Sequence, residues 1–170
     1  MSISQRKIEM SQGHDEEHAE PAPQLAALSF LTGRFRGEGL LVDDGERYEK
    51  DVTGKWVAGG HHLLLEMTAR YSDGRGRRDE HSAVIVVSAG DDAGLVSVAY
   101  TDGGEVIRLE PKATEAGIEF EDEVPHGSGA VRARKILHAT DGGYREIFEV
   151  DRGNGVFDRY ASVDLVRIDG

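Results

Sequence analysis

The chain has 170 residues, 38% of them hydrophobic and 31% charged, with no cysteine and a net charge of −12 from 20 basic against 32 acidic side chains. This length suits one domain with one core, and the lack of thiols excludes disulfides, thiolate nucleophiles and cysteine-bound zinc or iron–sulfur groups. So acidic a chain is repelled by nucleic acid and by anionic membranes, and with no apolar run long enough to cross a bilayer the composition points to a cytoplasmic protein.

Residues 1–23 are polar, end in "PAP" and lack the apolar stretch of a secretory leader, which predicts a flexible tail. His14 and His18 stand four apart beside Asp15, Glu16 and Glu17, a pattern that a solvated tail explains. The rest, 24–170, reads as a single β-barrel domain. It begins with "PQLAALSFLTG", where Leu25, Leu28 and Leu31 recur between Pro23 and Gly33. That spacing predicts a short amphipathic helix over Gln24–Leu31. The glycines of the following "LTGRFRGEG" fall at 33, 37 and 39, after the helix. A phosphate loop needs Gly-x-Gly-x-x-Gly before a helix, so these glycines are structural.

From Arg34 onward, segments rich in Val, Ile, Tyr and Phe alternate with "DDG", "AGG", "GDDAG", "DGG", "HGSG" and "RGNG". The turn signals recur at roughly 8 to 14 residues, the rhythm of an antiparallel sheet. They predict ten strands, near 33–42, 46–57, 61–71, 78–88, 94–101, 105–110, 117–123, 129–140, 144–151 and 156–168. Alternation supports them: Tyr48, Val52 and Trp56 oppose Glu49, Asp51, Thr53 and Lys55, and Ile118 and Phe120 oppose Glu119, Glu121 and Glu123. A long meander with one dry face hides that face by curling into an antiparallel up-and-down β-barrel. A two-sheet sandwich is the competitor, but tight hairpins throughout favour the barrel, with the short N-terminal helix capping one mouth.

Chemistry-bearing residues are scattered. His61 shares parity with Leu63, Leu65 and Met67 and is expected inside, whereas His62 and Glu66 share the other face without a third metal ligand. His81 lies with Ala83, Ile85 and Val87. His138 lies with Ile136, Arg134 and Arg132. If that face is inward, the two guanidiniums need a carboxylate such as Glu146 or a ligand acid; if outward, they are surface charges, and the mixed alternation leaves the parity open. "GRGRRDE" at 74–80 reads as a solvated hairpin tip. No nucleophile elbow, triad or glycosidase-like carboxylate pair is present.

The stretch "LAALSFLTGRFRGEG", with Gly33, Phe35, Gly37 and Gly39, resembles the opening of nitrobindin-like β-barrels and of related bacterial lipocalin-like proteins. In these a short helix leads into Gly-x-Trp-x-Gly-x-Gly, and Phe35 stands here where they carry tryptophan. "WVAGGHHLLLEM" and "FDRYASVDLVRI" are similar to the same group in order and placement. The resemblance implies a ten-stranded calycin barrel, lipocalin- or fatty-acid-binding-protein-like. Nitrobindins also carry haem through a histidine near the chain's end. Here no histidine follows His138, and the last strand offers Tyr160, Ser162 and Asp164.

The expectation is therefore a barrel holding a small apolar or amphipathic ligand, with Tyr48, Trp56, His61, Met67, Arg134, His138 and Tyr144 as its binding residues. It needs no nucleic acid or membrane and acts as a monomer or homodimer. The alternative is a barrel enzyme, an isomerase or cyclase or a haem-dependent catalyst of peroxide or nitrogen-oxide chemistry, using an interior histidine.

Overall fold

The computed structural model describes residues 20–72, 78–91, 94–126 and 129–168. The expected tail with His14 and His18, and most of the basic hairpin tip, lie outside them. Eleven strands follow in order: β1 Gly33–Leu41, β2 Arg47–Val57, β3 His62–Ser72, β4 Arg78–Ala89, β5 Leu95–Thr101, β6 Val106–Leu109, β7 Lys112–Thr114, β8 Gly117–His126, β9 Gly129–Thr140, β10 Gly143–Asp151 and β11 Phe157–Arg167. All belong to one antiparallel sheet, in the order β6-β5-β4-β3-β2-β1-β11-β10-β9-β8-β7.

This order explains why the sheet curls. The first and last strands pair at its centre, so its two edges, β6 and β7, are sequence neighbours joined only by Glu110 and Pro111. Three residue steps reach at most about 11 Å, so the edges must come round to meet. They are not hydrogen-bonded to one another among the described residues, and the sheet is a curled one with an open seam, not the ten-stranded closed barrel expected. The extra strand is the short β7, which the alternation of "KAT" is too brief to signal.

The N-terminal element also differs. Pro23–Leu31 is a 3-10 helix. Its leucines, at 25, 28 and 31, recur every three positions, which matches three residues per turn rather than 3.6. Leu25, Leu28 and Leu31 eclipse on one side and are completely buried. The helix packs on β3, β4, β8 and β10, strands from both wings of the sheet, and so plugs one end of the curl. Gly54 of β2 permits this approach: a Cβ there would sit 1.8 Å from the Leu31 carbonyl oxygen. Before the helix, the Ala22 amide donates to the Gly60 carbonyl at 2.9 Å, tying the chain to the β2–β3 turn.

Register fixes parity throughout. Phe35 opposes Val52, Val52 opposes Met67, Met67 opposes Ala83 and Ala83 opposes Thr101, so these share the concave face. On the other wing Tyr144 opposes Leu165, Glu146 opposes Leu137 and Phe148 opposes Lys135. The core gathers Phe35, Leu63, Leu65, Val87, Ile118, Leu137, Tyr144 and Leu165 against the 3-10 helix. The convex face carries ion pairs, among them Arg36–Asp51, Arg70–Asp51 and Arg145–Asp164.

Candidate binding site

Away from the plug, the concave face is not filled. A cavity of about 410 Å³ opens between β2, β3, β4 and β5 on one side and β9, β10 and β11 on the other. Its apolar walls come from Met67, Ala69, Ala83, Phe148 and Ala161. Tyr48 and Tyr71 stack with centroids 5.1 Å apart, and Phe148 meets Tyr160 edge-on at 5.7 Å. Gly39 makes room for this arrangement. A Cβ at that position would fall 2.2 Å from the Tyr48 ring, so the third glycine of "GRFRGEG" is where an aromatic lies flat on the neighbouring strand.

Three charged groups share the same interior. Lys50 of β2 follows Tyr48 by two, and Glu146 of β10 lies between Tyr144 and Phe148, so period two points both inward. Lys50 Nζ donates to Glu146 Oε1 at 2.5 Å, with both side chains under 10% exposed. Lys135 of β9 brings its Nζ to 4.0 Å from the same oxygen and is about one-quarter exposed (28%). Burial pushes the Lys50 ammonium below its usual range; Glu146 pulls it back and Lys135 adds to the drop. Burial works against the Glu146 carboxylate, but Lys50 and Lys135 outweigh it and hold its pKa below the usual value. Burial, then the Glu146 charge, then Tyr71 push the Tyr48 phenol well up, so it stays protonated at neutral pH.

Of the seven residues expected to bind ligand, Tyr48 and Met67 line the cavity. Tyr144 is buried in the plugged end, edge-on to Phe35 at 5.0 Å and to Phe30 at 6.2 Å. Trp56 packs against the same core, half-buried. His61 is exposed in the turn before β3, one residue short of the strand whose parity was to carry it inward. Arg134 and His138 lie on the convex face, because the concave residues of β9 are Ala133, Lys135 and Leu137. Arg134 Nε donates to Glu149 Oε2 at 2.6 Å, and its guanidinium sits 4.3 Å from the Phe157 ring centroid. Arg132 pairs with Glu121, so Glu146 serves neither arginine and its partner is Lys50.

The remaining candidates are quiet. His62 Nδ1 and Ser88 Oγ are 2.7 Å apart on the outer face, Glu66 faces Lys55, and no metal-binding cluster occurs among the described residues. Among the described residues, His81 is the one imidazole lining the cavity, and it stands at the rim, 3.1 Å from Asp79 and 60% exposed. The cavity's inner charges are two ammonium groups and a carboxylate, so these residues do not offer the buried imidazole by which a nitrobindin-like barrel would hold haem.

Fold and site together define an all-β protein: a curled antiparallel sheet, plugged at one end, with a charged group of side chains inside the open end. The crystal structure of Rv2717c from M. tuberculosis is similar in fold, with a TM-score of 0.59 and 17% sequence identity over 88% of this chain and 100% of that one. No family model matches the chain, and no curated protein does. No helix among the described residues is long and apolar enough to cross a membrane.

Proposed function

We propose that this protein is a small-molecule binder of the lipocalin-like, calycin type, whose curled sheet works as a barrel around one mostly apolar ligand. The single observation that carries the reading is the cavity, about 410 Å³, apolar along its walls and charged within. That size and lining are those of small-molecule sites, which run from roughly 300 to 1,000 Å³ with a few fixed polar groups. The 3-10 plug makes the opposite end the entrance. The ligand's body lies along Met67, Ala83 and Phe148, and a polar end faces Lys50, Lys135 and Glu146. An acidic chain carrying its site inside has no need of nucleic acid or a membrane surface, and the cytoplasm suits it.

Calorimetric titration with 1-octanol tests this directly. The wild-type chain is expected to bind one molecule, and Ala83→Trp, which fills the cavity, is expected to weaken binding at least tenfold. Equal octanol affinity in both proteins, or none in either, would remove the reading. Native mass spectrometry of freshly purified protein gives a second check, because a resident ligand adds its mass to the intact chain.

A further inference from the structure

Two amines and one carboxylate meet inside the cavity, and this ratio calls for an explanation. With all three ionised, the group carries a net positive charge, and two of its members, Lys50 and Glu146, are buried. Each buried charge is costly, and the fewer that remain the lower the cost. Passing the Lys50 proton to Glu146 leaves an uncharged amine and an uncharged acid, with Lys135 as the one remaining charge. Lys50 is positioned to be that amine. Its Nζ is buried and faces the cavity, 2.5 Å from a carboxylate able to receive its proton. Lys135, 4.0 Å from the same oxygen and partly exposed, keeps its own charge. A desolvated lysine beside a second cation is the arrangement that makes an amine nucleophilic near neutral pH, and the lowered Lys50 pKa agrees with it.

We propose that the cavity captures carbonyl compounds, aldehydes or ketones with an apolar body, as a Schiff base on Lys50, with Glu146 carrying the proton and then serving as counter-ion. This rests on the reading that the cavity binds a small apolar molecule. Glu146 takes one proton from the Lys50 ammonium. The freed nitrogen pair bonds to the carbonyl carbon, and a second nitrogen proton passes to the carbonyl oxygen, giving a carbinolamine. Its hydroxyl leaves with the proton held by Glu146, as water. An iminium with one N–H remains, carrying the single positive charge the ammonium had, opposite the same carboxylate. One ammonium and one carbonyl become one iminium and one water, so the ion pair is kept. Tyr48 and Tyr71, stacked beside the pair, keep their protons and hold bulk water off the imine.

Octanal at one equivalent, with cyanoborohydride to fix any imine, tests this at pH 7, where an ordinary lysine is a free amine in roughly one molecule per 2,500. Peptide mass mapping reads the position of the label. The expected result is one octyl adduct per chain on Lys50, formed at least tenfold faster than on Lys55 or Lys112. Lys50→Arg keeps a cation opposite Glu146 but has no primary amine, and is expected to lose the adduct. In Glu146→Gln the labelling slows at least tenfold. Octanol binding together with labelling on other amines, on Lys135, or nowhere overturns carbonyl capture and leaves the binding reading standing. Neither octanol binding nor a Lys50 adduct overturns both.

Discussion

At one end of the strands, Leu25, Leu28 and Leu31 drive into Phe35, Leu65 and Tyr144 and leave no charge inside; at the other, the same strands enclose Lys50, Lys135 and Glu146 around empty space. The backbone treats both ends alike, with β2, β3, β4 and β10 running through each. What differs is the side chain placed on the concave face two residues further along. Val52 becomes Lys50, Leu65 becomes Met67 and then Ala69, and Tyr144 becomes Glu146. The packed end contributes stability and the hollow end spends some of it. A buried ion pair returns little net free energy against a hydrophobic substitute, which is what a functional site, rather than a structural one, looks like.

The largest expected effect comes from breaking the charged end unevenly. Glu146→Leu strands two ammonium groups and is expected to cost about 3–5 kcal/mol in urea unfolding, since a lone buried charge keeps its full desolvation penalty. Lys50→Met costs less, because Glu146 keeps Lys135 at 4.0 Å. The double variant Lys50→Met/Glu146→Leu returns to within about 1 kcal/mol of wild type, as apolar pairs commonly replace buried ion pairs without loss. A double variant as unstable as Glu146→Leu would mean that the interior is not the dry place its burial indicates.

Next comes the plug. Leu28→Ala removes a fully buried side chain from the 3-10 helix and is expected to cost roughly 3 kcal/mol, the transfer term plus the cavity left behind. Octanol affinity should not move, because no plug residue lines the cavity. If the two ends are independent, Leu28→Ala and Glu146→Leu add to within about 0.5 kcal/mol. A larger coupling would show that the plug and the cavity are one cooperative unit.

A third effect is read against pH. The Glu146 pKa is depressed in the folded chain, so its contribution is fully present above the ordinary value of 4.5 and is lost as pH falls through the folded value. The sign for Lys50 is the same: its folded pKa lies below 10.5, so stability rises as pH climbs toward that value. Asp51 and Asp151 are also depressed, the first mainly by Arg70 and the second mainly by the Gly153 amide, so acid sensitivity persists in any variant. The Lys50→Met/Glu146→Leu chain should nonetheless show a shallower fall in unfolding free energy below pH 4.5 than wild type. Identical slopes would show that Glu146 is not held ionised by its neighbours.

These effects also mark what the sequence could reveal. Strand positions were legible because turn signals punctuate alternating segments, and all ten expected strands correspond to strands found. The Lys50–Glu146 pair was legible in principle. Each residue is a lone charge at inward parity, between Tyr48 and Val52 in one strand and between Tyr144 and Phe148 in the other, and the two are of opposite sign. The misplaced residues have a physical cause. In "RARKILHAT" both faces carry apolar residues, because Ile136 and Ile147 pair on the convex side where Ile147 is buried. Period two then has no polar face to read. A strand flipped by one residue would have looked equally good, and Arg134 and His138 go inward or outward with that choice. His61 failed for another reason: the turn through Gly59 and Gly60, both at positive φ, takes it out of the strand before parity applies.

The smallest effect falls where β9 turns its back on the cavity. Arg134 bonds Glu149 at 2.6 Å and lies over Phe157, yet it is about one-third exposed (31%). Solvent screens such a pair, and its removal in Arg134→Ala is expected to cost roughly 1 kcal/mol or less, ion pair and ring contact together. Octanol affinity and Lys50 labelling should be unchanged, as they should in His138→Ala. One residue along the strand the outcome reverses. Lys135→Met, from the concave face, removes the second cation that favours loss of the Lys50 proton, and octanal labelling at pH 7 should slow severalfold. Adjacent residues of one strand thus sit on opposite sides of the functional boundary. If Arg134→Ala slowed the labelling more than Lys135→Met did, β9 would be facing the other way.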